Sequence, residues 1–282
     1  MSLVMATVSP TIPIPAPPEA IRSQGDQLLR FFDGLAESSR HLLSKGIHQF
    51  ESGGEQHAIA RYFWFGPPGG GDSLRLGLFA TLNGDEPEGA FALTRFISEL
   101  EKSPERARGY AFSLYPLCNP TGFEDHTRLS RAGDALNRLF WTGSNAPEIR
   151  FLESEIWMQA FQGIINLRSD AETSGIYGFA SGAVLSQALL EPALRAAEAF
   201  LPRNRQRQIE GVPARRGIVY ADLYHARAGA LRAVPGLEHP PFEITLATPR
   251  SAPVHLTVEA LHAALSAILA EFRDLQAIGL NI

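Results

Sequence analysis

The chain has 282 residues, enough for one large domain with a sizeable core, and 45% of them are hydrophobic against 20% charged. Its 25 basic and 30 acidic side chains give a formal net charge of -5, so no broad cationic field favours nucleic acid or anionic lipid. No apolar run approaches the roughly eighteen residues of a membrane helix, and the single cysteine, Cys118, can form no internal disulfide. We therefore expect a globular cytoplasmic protein without a nucleic-acid or membrane partner, and the oligomeric state stays open.

The first residues form a separate segment. Five prolines lie between positions 10 and 18, where they interrupt any helical core of a signal peptide. Such spacing is typical of an extended, polyproline-like arm. We predict an arm over 1–18 and a single domain over 19–282.

Apolar periodicity then predicts helices alternating with strands. Strands are expected over 57–65, 74–82, 109–117, 163–167 and 242–247, and helices over 18–43, 88–102, 147–161, 184–200 and 257–275. This alternation is typical of an α/β sheet with helices on both faces, whose functional residues lie at strand ends. The arginines between 203 and 216 predict a solvated loop, with an anion-binding surface as the alternative.

Two of the predicted strands are followed by unusual polar segments. Residues 82–89 read Leu-Asn-Gly-Asp-Glu-Pro-Glu-Gly; residues 119–122 read Asn-Pro-Thr-Gly, with Thr-Arg at 127–128 and Ala-Leu-Asn-Arg at 135–138. They resemble the His-Gly-Asp-Glu-Pro-x-Gly, Asn-Pro-x-Gly, Thr-Arg and Asp-Leu-Asn-Arg elements of zinc carboxypeptidases and of the related succinylglutamate desuccinylases and aspartoacylases.

Two further segments extend this resemblance. Ile-Asn-Leu-Arg at 165–168 is similar to the Asp-Leu-His that supplies a zinc ligand, and Thr-Leu-Ala-Thr-Pro at 245–249 to the Thr-Leu-Glu-Thr-Pro that carries the general base. The four pieces span roughly 57 to 275. The resemblance implies a zinc-carboxypeptidase-like α/β domain with a mixed, mostly parallel twisted sheet. The short stretch after the last predicted helix favours the carboxypeptidase branch over the desuccinylases.

At the catalytic positions, however, the resemblance is incomplete. It assigns the zinc-ligand positions to Asn83, Glu86 and Arg168 and the general-base position to Ala247, so only Glu86 is retained. An asparagine amide is a weak ligand, and a guanidinium has no lone pair to give. We therefore expect no zinc cofactor and no intact catalytic residue. We predict that Arg168 replaces the metal by pairing with Glu86 while Asn83 completes the hydrogen bonding.

The residues that recognise a carboxylate in the family are retained. The resemblance implies that Arg128 polarises the substrate carbonyl, and that Asn137 and Arg138 hold a C-terminal carboxylate. A planar guanidinium matches a carboxylate well. Alternatively, Arg138 only pairs with a neighbouring acid. Tyr177, in a predicted loop over 170–179, either lines the mouth of the pocket or packs inside.

Three functions are consistent with these features. The first is a carboxypeptidase-like pseudo-enzyme that binds a small carboxylate or a peptide C-terminus without turnover. The second is an active metallocarboxypeptidase or deacylase with a metal site rebuilt around Glu86. The third is a non-catalytic interaction protein that uses the proline-rich arm or the 203–216 loop.

Overall fold

The structure is a computed structural model that describes residues 18–182, 185–219 and 229–279. The described chain begins with helix α1, so the arm predicted over 1–18 lies outside it except for Pro18. The helices are α1 (Pro18–Ser38), α2 (Glu88–Lys102), α3 (Pro120–Glu124), α4 (Pro147–Gln159), α5 (Leu185–Ala197) and α6 (Val254–Ala277). The strands are β1 (Leu42–Ser52), β2 (Glu55–Phe65), β3 (Leu74–Ala80), β4 (Tyr110–Tyr115), β5 (Gly163–Asp170), β6 (Tyr177–Gly182), β7 (Gln208–Ile209), β8 (Val212–Arg215), β9 (Ile218–Val219) and β10 (Phe242–Pro249).

The prediction of one helix over 18–43 was wrong at its end. Helix α1 stops at Ser38, and the Ser39 hydroxyl accepts hydrogen bonds from the backbone N–H groups of His41 and Leu42, where β1 begins. Strand β1 forms an antiparallel hairpin with β2. The spacing of apolar residues along the chain does not show this cross-strand pairing, which decides the conformation of residues 42–52.

Ten strands of the described residues form one sheet, in the order β1-β2-β4-β3-β5-β10-β6-β9-β8-β7. The four central strands, β4, β3, β5 and β10, run parallel to one another. The strands next to them, β2 on one side and β6 on the other, run antiparallel to this centre. The sheet is therefore mixed, as expected, and its parallel part is the region that carries the motifs.

Helices cover both faces of the central strands. On one face Leu78 and Leu167 belong to the large core that α1, α2, α5 and α6 complete. On the other face Phe79 and Ile164 pack with residues of α4 such as Leu152. Because both faces are covered, the polar groups of the central strands are accessible only beyond the strand ends.

Helix α6 is more apolar over its length than the sequence analysis predicted for any segment of the chain. By length and composition alone, Val254–Ala277 is long and apolar enough to cross a membrane, which corrects the prediction that no apolar run of that length exists. Three of its apolar residues, Leu261, Leu265 and Ile268, are fully buried, and the helix packs against α2 and α5. This is the burial pattern of a core helix in a folded domain.

The arginine-rich segment 203–216 is not a solvated loop throughout, which corrects the prediction. Arg203 is buried and pairs with Glu191 and Glu198, at 2.8 and 3.2 Å. Residues 208–215 form the hairpin β7–β8. Tertiary contacts to α5 and the chain just after it, which a local charge count cannot show, anchor the start of this segment.

Helix α2 approaches β5 so closely that only glycine fits at position 89. A Cβ atom there would lie 2.6 Å from the Leu167 carbonyl oxygen. The same helical turn carries Glu88, whose carboxylate accepts a hydrogen bond from the Ser169 hydroxyl at 2.9 Å. The contact therefore sets the position of the α2 N-terminus at the strand ends.

We expect Gly89→Ala to lower the free energy of unfolding by about 1–3 kcal/mol, because backbone atoms must move apart. The matched control is Gly34→Ala in α1, where an added Cβ meets nothing within 4 Å. That change should raise stability by about 0.5–1 kcal/mol through helix propensity. Urea unfolding followed by circular dichroism measures both; equal midpoints for the two variants would contradict the close approach.

Candidate functional site

The predicted ligand positions meet at the carboxyl ends of β3 and β5. A turn after β3 carries Asn83 and Glu86, and the Glu86 N–H donates to the Asn83 carbonyl at 3.1 Å. Gly84 in this turn contacts the α3 backbone, since a Cβ there would lie 2.0 Å from the Gly122 carbonyl carbon. The Asn119 side chain fixes the same region by accepting from the Gly122 N–H and donating to the Leu82 carbonyl. The turn is thus rigidly held.

Glu86 is buried at this point, with only 3% of its surface exposed. The Asn83 amide donates to Oε1 at 2.6 Å, and the Ser169 N–H donates to Oε2 at 3.2 Å. The pKa of Glu86 is raised, and the main cause is burial. The charge of Arg168, the two hydrogen bonds and the charge of Arg128 act in the opposite direction but do not outweigh burial. Both carboxylate oxygens already accept hydrogen bonds from the protein.

Arg168 contacts Glu86, but its shortest ion pair among the described residues is with Glu210. Its Nε lies 3.9 Å from Glu86 Oε2, while its Nη1 donates to Glu210 Oε1 at 2.8 Å. Glu210 and Gly211 form the two-residue loop of the β7–β8 hairpin, and both have positive φ, 51° and 76°. A type I′ hairpin loop requires this conformation, which a glutamate adopts only at a cost that the ion pair helps to offset. The sequence predicted the contact of Arg168 with Glu86 but not its ion pair with Glu210.

Tyr177 lies on β6 and not in a loop, and it is completely buried, which settles its alternatives in favour of packing. Its hydroxyl donates to Asp170 Oδ2 at 2.6 Å and lies 3.1 Å from Glu210 Oε1. The Tyr177 hydroxyl therefore connects the β7–β8 hairpin with the end of β5.

Ala247, at the predicted general-base position, is the register partner of Arg168 on β5 and of Tyr177 on β6. It is fully buried in a small apolar cluster with Phe179 and with Ile209 and Val212, which flank the hairpin loop. No proton-transfer group exists at this position. Glu243, on the same strand, does not replace it, since its carboxylate accepts from the Ser181 hydroxyl and the Ala233 N–H.

A polar cleft opens beside these strand ends. It consists of an inner cavity of about 230 Å³ and an outer cavity of about 480 Å³, which share Glu86, Arg128, Arg138, Arg168 and Glu210. The inner one is further lined by Leu82, Asn83, Asn137, Asn166, Ala230 and Leu231. The outer one is further lined by Asp85, Asp170, Ala171, Glu172, Thr173, Gln206, Gln208, Gly211 and Arg250. The cleft thus brings all the predicted binding residues together.

Arg128 and Arg138 present their side chains to this cleft in a different way from Arg168. Both are exposed, and within the described ranges neither has a carboxylate within 4.0 Å. Arg250, by contrast, pairs with Asp85 at 2.9 Å. A pairing of Arg138 with a neighbouring acid, the alternative considered above, is therefore not found among the described residues.

Local backbone contacts hold Asn137 and Arg138 in place, although Ala135 stands where the resembled motif has an aspartate. They belong to a short 3-10 helix, Leu136–Arg138, in which the Arg138 N–H donates to the Ala135 carbonyl. Gly229, with a φ of 87°, lies against the Arg138 backbone, where a Cβ atom would be 1.7 Å from the carbonyl oxygen. The Phe140 N–H then bonds to the Gly229 carbonyl. Backbone contacts thus support the turn.

The residues at the three predicted zinc-ligand positions do not fit the metal that the resemblance implies. The Arg168 guanidinium adds a fixed positive charge beside Glu86, and the Asn83 amide nitrogen faces the carboxylate as a donor. Zinc requires electron-pair donors such as imidazole or carboxylate at three protein positions. Of the three residues, only Glu86 carries an imidazole or a carboxylate. Both of its oxygens already accept hydrogen bonds from the protein.

Among the described residues, one group of possible metal ligands lies outside the cleft: Glu55, His57 and Glu124. The Arg131 guanidinium lies among them, 2.9 Å from Glu55, 3.1 Å from His57 Nε2 and 3.1 Å from Glu124. A cation is therefore already present there as a side chain. The group is a structural ion-pair network rather than a metal centre.

Several residues of the cleft were not identified from the sequence. Glu210 gives no local signal, because only the hairpin brings it to Arg168. Asn166 lies within the 165–168 segment, Asp85 precedes Glu86, and Arg250 follows the 245–249 segment. Proximity to these motifs was the signal that the sequence offered for the three residues. Their grouping depends on strands that are distant in sequence.

Comparisons with solved structures identify the fold. A candidate metallopeptidase from Shewanella denitrificans OS217 matches with a TM-score of 0.71 at 18% identity, over 94% of this chain and 98% of that one. A metallo-carboxypeptidase from Burkholderia cenocepacia matches with a TM-score of 0.63 at 14% identity, over 86% and 68%. One from Pseudomonas aeruginosa, in complex with (2-guanidinoethylmercapto)succinic acid, matches with a TM-score of 0.65 at 17% identity, over 90% and 69%.

A comparison of the sequence with protein-family models and with curated proteins gives no match. The structural likeness therefore establishes the fold: this chain is a zinc-carboxypeptidase-like α/β domain. The expected fold class is confirmed.

The raised pKa of Glu86 makes stability depend on pH. Between its ordinary value of 4.5 and the raised value, the unfolded chain releases the proton while the folded chain keeps it. The folded state then binds more protons, so stability falls as the pH rises through this window. We expect the unfolding free energy of the wild type, measured relative to Glu86→Gln in urea, to decrease from about pH 4 towards neutrality. A difference that grows over this range would contradict the direction of the shift.

Proposed function

We propose that this protein is a catalytically inactive, zinc-carboxypeptidase-like protein that binds a small carboxylate or a peptide C-terminus. The observation that carries the proposal is the pair Arg128 and Arg138. Both line the cleft, and neither has a carboxylate partner in the described part of the chain. An unpaired guanidinium fork in a concave site is suited to a carboxylate ligand.

The cleft also has unsatisfied hydrogen-bonding capacity. Buried polar atoms without a partner among the described residues include oxygens of Asn83, Asp85, Asn137, Asn166 and Thr173, all of which line it. These oxygens have almost no accessible surface, so they make the walls of the cleft polar without themselves contacting a ligand. The cleft is thus lined by polar side chains and is not closed by apolar packing.

The chemistry for hydrolysis is missing at each step. The three metal-ligand positions retain only Glu86, and Ala247 offers no group to move a proton. General acid–base groups contribute about 10² to 10⁴ in rate, and a metal supplies the nucleophilic water in this type of reaction. Binding without turnover follows. The Pseudomonas aeruginosa protein of the same fold binds a succinic acid derivative, a ligand that also carries carboxyl groups.

Carboxylate binding is tested with N-acetyl-glycyl-alanine and its C-terminal amide by calorimetry. We expect the acid to bind and the amide not to. Arg138→Gln should weaken binding of the acid by about 10- to 100-fold, the equivalent of one charge-assisted hydrogen bond. Arg150→Gln, at an exposed arginine of α4 away from the cleft, is the matched control and should bind like the wild type. Equal binding of acid and amide would refute the proposal.

Loss of the metal site is tested by the zinc content after incubation with excess zinc and removal of the free ion. We expect almost none in the wild type, because the Arg168 charge and the Asn83 donor oppose the metal. Asn83→His combined with Arg168→His should retain zinc, since two imidazoles then join Glu86.

The other outcomes of the zinc measurement are equally informative. Tightly held zinc in the wild type would favour the rebuilt metallohydrolase, and chelator-sensitive hydrolysis of peptides and acylated amino acids would then decide. Absence of zinc from the double variant would show that these positions are not the former ligand positions.

A further inference from the structure

Four exposed arginines lie on the β7–β8 hairpin and directly beside it, at one end of the described sheet. They are Arg205, Arg207, Arg215 and Arg216, and we call them the arginine surface. Within the described ranges, none of the four guanidinium groups has a carboxylate within 4.0 Å. None of the four lines the cleft. The cleft therefore gives no role to these arginines.

Contacts within the segment 203–216 bring the four arginines together. The buried Arg203 side chain reaches across the segment, and its Nη1 donates to the Arg216 carbonyl at 3.4 Å. Nearer the hairpin loop, the Ala214 N–H donates to the Arg207 carbonyl at 2.9 Å. Side chains on paired strands lie within about 4.5–8 Å of one another. The arginine surface is thus one patch rather than four separate charges.

The charge of this segment is opposite to that of the rest of the chain. Residues 203–216 contain five arginines and Glu210, a net charge of +4, in a chain of net charge -5, so all other residues together carry -9. Glu210 pairs with Arg168 at 2.8 Å, so its charge is already compensated. At physiological salt, exposed charges are screened beyond about 8 Å. A ligand that contacts the arginine surface therefore meets mainly positive charge.

The positive field also acts on a neighbouring carboxyl group, Glu191 of α5. Burial raises the pKa of Glu191, but the hydrogen bond and charge of Arg203 and the charges of Arg216 and Arg195 outweigh it and hold the pKa below its ordinary value. Arg216 makes no ion pair with Glu191 within 4.0 Å in the described part of the chain, so it acts through space. Carboxylates are thus stabilised close to this surface.

A row of carboxylates is the chemistry that suits such a surface. A guanidinium group binds a carboxylate through two parallel hydrogen bonds, and arginine clusters recognise acidic peptide motifs in this way. The segment 203–216 contains no aromatic residue on which a nucleic-acid base could stack. The charge of -9 on the other residues also repels a long polyanion, whereas a short peptide contacts the patch alone.

We infer that the arginine surface is a docking site for an acidic peptide segment of a partner protein, whose aspartate or glutamate side chains pair with Arg205, Arg207, Arg215 and Arg216. The surface is separate from the carboxylate site proposed in the cleft, which uses Arg128 and Arg138. Each of the two sites can therefore be tested without the other.

The experiment measures fluorescence anisotropy of a dye-labelled peptide of alternating aspartate and serine, four of each, with the full-length protein. Its C-terminus is amidated, so it has no terminal carboxylate to enter the cleft. The matched probe has asparagine in place of aspartate. We expect the aspartate peptide to bind and the asparagine peptide not to. Binding of the aspartate peptide should weaken about tenfold between about 20 and 150 mM salt, because screening increases.

Substitutions locate the binding site on the hairpin. Arg207→Gln combined with Arg215→Gln should weaken binding of the aspartate peptide about fivefold or more, the equivalent of two exposed ion pairs. The matched control combines Arg30→Gln with Arg150→Gln, which removes the same charge from exposed positions on α1 and α4 and should bind like the wild type. This comparison separates the patch from the net charge of the protein.

The contrary results are equally specific. Equal binding of the two peptides, or an equal loss of affinity in both double variants, would overturn the docking site. Loss of aspartate-peptide binding in Arg138→Gln would place that peptide in the cleft and would overturn it as well. Tighter binding of a thymidine oligonucleotide with four phosphates would identify nucleic acid as the better ligand and contradict the choice of an acidic peptide. The proposed function is tested with a free terminal carboxylate and does not depend on these outcomes.

Discussion

The buried Glu86 carboxylate is the constraint on which the site depends. A charge in this position is costly unless other groups compensate it. Here the Asn83 amide, the Ser169 N–H and the Arg168 guanidinium surround it at 2.6, 3.2 and 3.9 Å. These are donors and a fixed cation. The protein therefore stabilises this carboxylate with its own side chains and backbone, where the solved carboxypeptidases of this fold are metalloproteins.

Arg168 extends this arrangement to the edge of the sheet. Its ion pair with Glu210 joins the end of β5 to the β7–β8 hairpin, and the Tyr177 hydroxyl links Glu210 with Asp170 beneath it. Ile209 and Val212, on either side of the hairpin loop, cover Ala247. An alanine suits this covered position, because a glutamate there would bring a charge into an apolar cluster. Arg168 and Ala247 are thus parts of one packed unit.

The cleft beside this unit remains open and polar. Arg128 and Arg138 line it, and in the described part of the structure neither has a carboxylate within 4.0 Å. Two guanidinium groups that line an open cleft without such a partner are the physical basis for the proposed carboxylate ligand.

The sequence by itself determined the alternation of helices and strands, the bounds of α2 as Glu88–Lys102, and the four motif segments at strand ends. Local periodicity and turn residues encode these features, so they can be read along the chain. It also placed Asn83, Glu86, Arg128, Arg138 and Arg168 in one cleft by resemblance. Only the tertiary structure decided that 42–52 is a strand, that Tyr177 is buried, and that Arg168 pairs with Glu210 more closely than with Glu86. Each of these depends on contacts between segments far apart in sequence, which the pattern of neighbouring residues does not contain.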